Sequence, residues 1–141
     1  MIRFFDTSAL AKRYISESGS PLVRTTLRVH PVSVARITYA ELAASVARAF
    51  RLAAISEAQR DAILERLARD FSRLHVVEVR AALVGLVPEL VVRHPLRGYD
   101  AVQLAAALTV HASGQSVEFW SADAALCQAA AIEGLRTVNP T

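Results

Sequence analysis

The chain has one cysteine and one lysine, and each scarcity narrows what it can be. A lone Cys127 excludes an intrachain disulfide and suits a reducing cytoplasm. It stands in the apolar run AALCQAAA, the setting of a buried structural thiol rather than of a nucleophile. No apolar run approaches the roughly 18 residues of a membrane span, although 53% of the 141 residues are apolar and mean hydropathy is +0.32. The N-terminus has no apolar segment followed by a small-residue cleavage site, so no signal peptide is expected. The four histidines (His30, His75, His94 and His111) lack zinc-like spacing, and neither a Walker A nor a G-x-S-x-G motif occurs. The expectation is one cytoplasmic domain over residues 1–141, long enough to bury a single core.

Sixteen basic residues stand against thirteen acidic ones, for a formal net charge of +3 and an isoelectric point near 9.6. All the basic residues except Lys12 are arginine, whose planar fork binds phosphate bidentately and keeps its charge at any biological pH. Such a surface permits nucleic-acid binding, but ordinary solubilising charge explains it equally well.

Strand-like and helix-like segments alternate. IRFF, PVSVARI, HVVEV, VEFW and RTV read as strands. Helices are expected from Ser8 to Tyr14, from Pro21 to Val29 and from Thr38 to Leu52. Further helices run from Ser56 to Leu74, from Arg80 to Val92 with a break at Pro88, from Tyr99 to Ala112, and from Ala122 to Glu133. On the Ser56 helix, Glu65–Arg69 and Arg66–Asp70 read as pairs on a solvated face. The alternation implies crossover connections, hence an α/β fold with a mostly parallel sheet covered on both faces.

Nine of the thirteen acidic residues fall on polar helix faces, loops or exposed strand positions; four do not. Asp6 ends the first strand, Glu41 sits in the first turn of the Thr38 helix, and Asp100 and Asp123 open two later helices. Each has a structural explanation. Asp6 would cap the helix that follows, TYAE reads as a capping box from Thr38 to Glu41, and Asp100 and Asp123 complement helix dipoles. Together they suggest something else. In open parallel sheets the strand C-termini and the following helix N-termini share the ligand-binding edge. Four carboxylates there repel one another unless a hard divalent cation, Mg²⁺ or Mn²⁺, neutralises them. The chemistry this implies is metal-assisted attack of water on a phosphodiester.

The segments FFDTSALAKRY, TYAELAASVAR, RGYDAVQLAAAL and FWSADAALCQAA, with GLRTVNP after them, resemble the PIN domain in order and spacing. The likeness is to VapC-like toxin ribonucleases of prokaryotic toxin–antitoxin modules, and it runs from Ile2 to Pro140. It implies a three-layer α/β/α sandwich and an acidic metal site of Asp6, Glu41, Asp100 and Asp123. Asp6 and Asp100 would be the most direct Mg²⁺ (or Mn²⁺) ligands, and Glu41 and Asp123 would complete the site directly or through water, one of them orienting the attacking water. Ser8 and Ser121 would orient the carboxylates, although many relatives carry Thr or Asn where Ser121 stands. An RNA substrate, a cognate antitoxin, a homodimer and no membrane association follow from the same likeness. Arg97 is the nearest candidate for a phosphate contact, with Lys12 and Arg13 lining the same groove or an antitoxin surface. Two rivals lack their residues: a phosphoacceptor receiver needs a late lysine, and a haloacid-dehalogenase-type phosphatase needs Asp where Ser8 stands. A PIN-like protein that binds RNA or a partner without cutting remains the alternative.

Overall fold

A computed structural model describes residues Met1–Thr141, and its strands carry the site. In chain order the elements are β1 (Ile2–Phe5), α1 (Thr7–Tyr14), α2 (Ser20–Val29), β2 (Val32–Ala35), α3 (Ile37–Arg51), α4 (Glu57–Phe71) and β3 (His75–Val77). They continue with α5 (Ala81–Val84), α6 (Val87–Arg93), α7 (Gly98–Ala112), β4 (Val117–Trp120), α8 (Ala124–Ile132) and β5 (Arg136–Val138). The five strands pair in parallel in the order β3-β2-β1-β4-β5. No helix is long and apolar enough to cross a membrane.

Successive strand residues face opposite sides of a sheet, so neighbours on β1 and β4 feed two cores. Phe4 stacks on Phe119 with ring centroids 5.8 Å apart, in the core under α5–α8. Phe5 stacks on Trp120 at 4.8 Å, in the core under α1–α4. On the first side, Ala105, Ala106 and Ala107 of α7 are fully buried, small enough to bring this helix close to the sheet. The expected α/β/α sandwich is the observed architecture.

Local differences have physical causes. α3 starts at Ile37, with Arg36 as an N-cap whose side chain makes no capping bond, so TYAE is not a capping box. Thr38 is instead fully buried inside the first turn. The Arg80–Val92 segment breaks at Gly85–Leu86, ahead of Pro88, which occupies the first turn of α6, where proline is tolerated. Asp70 is no solvated partner of Arg66; it takes Arg13 at 2.6 Å and the Tyr14 hydroxyl at 2.6 Å, tying α1 to α4.

Because Phe119 is fully buried between β1 and the second helical layer, Phe119→Ala should lose about 3–5 kcal/mol. Urea denaturation would register this as a lower midpoint at an unchanged slope.

Candidate active site

The sheet reverses its order of winding between β1 and β4: β2 and β3 lie to one side and β5 to the other. A crevice opens at such a switch point, beyond the strand C-termini. Asp6 follows β1 directly, and Ser121–Asp123 follows β4. The backbone joins them, since the Asp6 amide donates to the Trp120 carbonyl at 3.0 Å.

Asp6 is only 4% exposed and is held on three sides. Its Oδ1 accepts from the Ser8 hydroxyl at 2.7 Å and the Ala9 amide at 2.9 Å; its Oδ2 accepts from the Ser121 hydroxyl at 2.7 Å. The cap reading of Asp6 is therefore true. Two further bonds lock the hydroxyls: the Ala122 amide donates to Ser8 Oγ and the Asp123 amide to Ser121 Oγ. No cation pairs with this carboxylate. Burial raises its pKa to about 6, against the lowering effect of the Ser121, Ala9 and Ser8 donors, and the Asp100 charge adds to the rise.

Asp100, in the first turn of α7, keeps an ion pair with Arg97 at 3.2 Å, whose side chain is 85% exposed. Asp123 caps α8, its Oδ1 accepting from the Ala125 and Leu126 amides at 2.9 and 3.1 Å. Glu41 reaches in from α3, where its Oε1 takes the Thr7 hydroxyl at 2.7 Å and the Gln103 amide at 3.0 Å. Thr7 gives its only hydroxyl proton to Glu41, so the 3.1 Å contact with Thr38 is donated by Thr38. The Gln103 nitrogen also bonds Thr7 and Thr38, at 3.1 and 2.8 Å. That nitrogen must face Glu41, because the amide oxygen has no proton to offer a carboxylate.

Thr7, Thr38 and Gln103 are the site-supporting residues that sequence reading missed. Gln103 had a signal: it is the one polar side chain in AVQLAAAL, and a polar group on an apolar helix needs a reason. The structure does not bring Lys12 and Arg13 to the carboxylates. The Lys12 ammonium is buried on the Ser18 carbonyl at 2.6 Å with Glu17 at 3.4 Å, and Arg13 is held by Asp70. Cys127 donates to the Ser121 carbonyl, and burial raises its pKa, which agrees with a structural thiol.

The donor set is hard oxygen throughout and fits a cation that takes one or two carboxylates together with water, the habit of Mg²⁺. It does not form a closed cage, since no three acidic, histidine or cysteine side chains converge closely enough to hold an ion. Glu41 is turned onto Thr7 and Gln103, and Asp123 onto its own helix.

No family model matches the chain. It is 34% identical over 119 residues to ribonuclease VapC45 of Mycobacterium tuberculosis, spanning 83% of this chain and 82% of that protein. Among solved structures, a toxin–antitoxin complex from Klebsiella pneumoniae superposes with a TM-score of 0.68 at 16% identity, covering 99% of this chain and 98% of that one. The Mycobacterium tuberculosis VapC20 toxin, which cleaves the sarcin–ricin loop, gives 0.68 at 18% identity, with 97% of each chain covered. The architecture is thus that of a PIN domain. Sequence identity to VapC45 narrows this further: the chain belongs to the VapC family of toxin ribonucleases.

An aspartate whose pKa rises on folding favours the folded state only while protonated. The native chain holds more protons than the unfolded chain between about pH 4 and 6, so Asp6 reduces stability as pH rises through about 6. Asp6→Asn should therefore be more stable than wild type at pH 8 in the absence of divalent ions, by on the order of 3 kcal/mol. The gain should vanish at pH 3.5. Thermal melts at both pH values check the sign.

Proposed function

We propose that this protein is a metal-dependent endoribonuclease, a toxin that cuts RNA by attack of water at the carboxylate edge. Asp6 carries this reading: a buried carboxylate at the switch point with a raised pKa and no cationic partner. Evolution of a purely structural cap gives no reason to keep so costly a charge, since Asn or Ser caps a helix nearly as well. VapC45, the relative at 34% identity, is itself a ribonuclease.

In this reading Asp6 and Asp100 would hold Mg²⁺ or Mn²⁺. The ion supplies Lewis-acid stabilisation of the phosphate and lowers the pKa of water. Ser8, Ser121 and the Ala9 amide keep both oxygens of Asp6 in place without reorganisation. Glu41 has one oxygen fixed by Thr7 and Gln103, and the other has no partner within the chain. That second oxygen orients the attacking water and receives its proton. Asp123 is arranged likewise, with Oδ1 spent on α8 and Oδ2 left for solvent or a second ion. Arg97, exposed beside Asp100, would meet a substrate phosphate. A cognate antitoxin covering this edge, a homodimer and a cytoplasmic location belong to the same reading; the similar Klebsiella pneumoniae structure is of a toxin–antitoxin complex.

Asp6→Asn should abolish RNA cleavage, and Ser121→Ala should lower it about 10–100-fold, as loss of an orienting hydrogen bond does. Gel assays on labelled RNA with Mn²⁺ measure both. In parallel, millimolar Mn²⁺ should raise the melting temperature of wild type saturably and leave Asp6→Asn unmoved. Absence of both cleavage and shift would favour the alternative, a PIN-fold protein that binds RNA or a partner without cutting.

A further inference from the structure

A sizeable cavity lies away from the carboxylates. About 660 Å³ in volume, it opens at the other edge of the sheet, where β2 and β3 begin and α1, α2 and α4 end. Arg24 and Arg28 of α2 line it, as do Arg66 of α4 and Arg73 just beyond α4, and all four are exposed. Arg13 also lines it, but is paired with Asp70, the one acid present. Asp70 is already spent on that guanidinium, at 2.6 and 3.2 Å, and on the Tyr14 hydroxyl. Four positive charges are therefore left uncompensated around one cavity. The three helix C-termini offset them only in part, at about half a negative charge each.

The lining selects the ligand. It contains no Asn, Gln, Ser or Thr side chain to read a base, and its only carboxylate is committed. What remains is His30, His75, whose Nδ1 bonds with the Ser33 hydroxyl, and a set of arginine forks suited to phosphate oxygens. Only four hydrophobic residues line the cavity, a poor seat for an amphipathic helix, which anchors through a row of apolar residues. From Asp6 to Arg13 is seven residues along α1, about 10 Å at 1.5 Å per residue, so one extended strand can touch both edges.

We propose that this cavity is a second RNA-binding site, which grips the backbone phosphates of a strand whose scissile bond lies at the carboxylate edge. The proposal rests on RNA being the substrate. Its test compares wild type with an Arg28→Gln/Arg66→Gln double variant, binding labelled 2- and 20-nucleotide single-stranded RNAs, of which the dinucleotide is too short to span the two edges, by fluorescence anisotropy in EDTA across a salt series. Wild type should hold the long RNA more tightly than the short one, and the double variant should lose that advantage. The slope of log K against log salt for the long strand should fall by about 1.4, two contacts at about 0.7 each. An Arg28→Lys/Arg66→Lys variant, which keeps the charge, should retain most of the slope and so excludes misfolding as the cause. Cleavage of the short RNA with Mn²⁺ should be the same in wild type and double variant.

Equal long-strand affinity and slope in wild type and double variant would overturn the proposal. So would tighter binding of polyglutamate than of the long RNA, lost in the double variant, which would make the cavity a protein-docking site. If wild type cleaves neither RNA, the ribonuclease reading fails, while the anisotropy series still decides the cavity.

Discussion

The arrangement at the carboxylate edge depends on one buried aspartate. Asp6 accepts three hydrogen bonds from residues of two separate crossovers, Ser8 and Ala9 after β1 and Ser121 after β4. These bonds fasten the C-terminal ends of the two central strands to each other and start α1 in the same step. They stabilise the charged form, yet burial outweighs them, because the site offers hydroxyl and amide dipoles but no cation. The result is a rigid, under-neutralised anion at the switch point of a parallel sheet. Such an anion destabilises the metal-free fold and favours a positively charged ligand, two sides of the same free energy.

The other acids are set around this one with different degrees of freedom. Glu41 is immobilised by a buried hydroxyl and amide network in which Thr7, Thr38 and Gln103 are mutually bonded. Asp100 is tethered only to an exposed Arg97. Asp123 is fixed by its helix but presents one oxygen outward. In the proposed function, an edge with one rigidly held anion and one loosely held one would close on a cation without moving the sheet. Negative charge thus concentrates at one end of the strands and positive charge at the other, where Arg24, Arg28, Arg66 and Arg73 surround the cavity.

Much of this was legible in the sequence because the informative residues break local patterns. Asp6 interrupts an apolar strand, and Asp100 and Asp123 begin helices that are otherwise apolar; each stands out against its neighbours. The strands and helices followed from hydrophobic runs and punctuation by proline and capping residues, so the layered fold was within reach. Less legible was anything decided by pairing across distant segments. TYAE satisfies the local rule for a capping box, but Thr38 and Glu41 find better partners in Thr7 and Gln103, and tertiary hydrogen bonds override the local one. Asp70 likewise matched Arg66 at helical spacing and instead joins Arg13 and Tyr14, more than fifty residues earlier. The basic cavity draws on three helices and two strand starts, and no single stretch of sequence announces it.

The account stands on the ionisation of Asp6, which can be read directly. Carbon-13 NMR of its side-chain carboxyl, followed as a function of pH, should give a midpoint near 6 in the absence of divalent ions. Saturating Mg²⁺ should move that midpoint well below the ordinary aspartate value, since a bound cation favours the charged form. A midpoint near 4 that Mg²⁺ leaves unchanged would mean that Asp6 is only a helix cap, and would contradict the central claim.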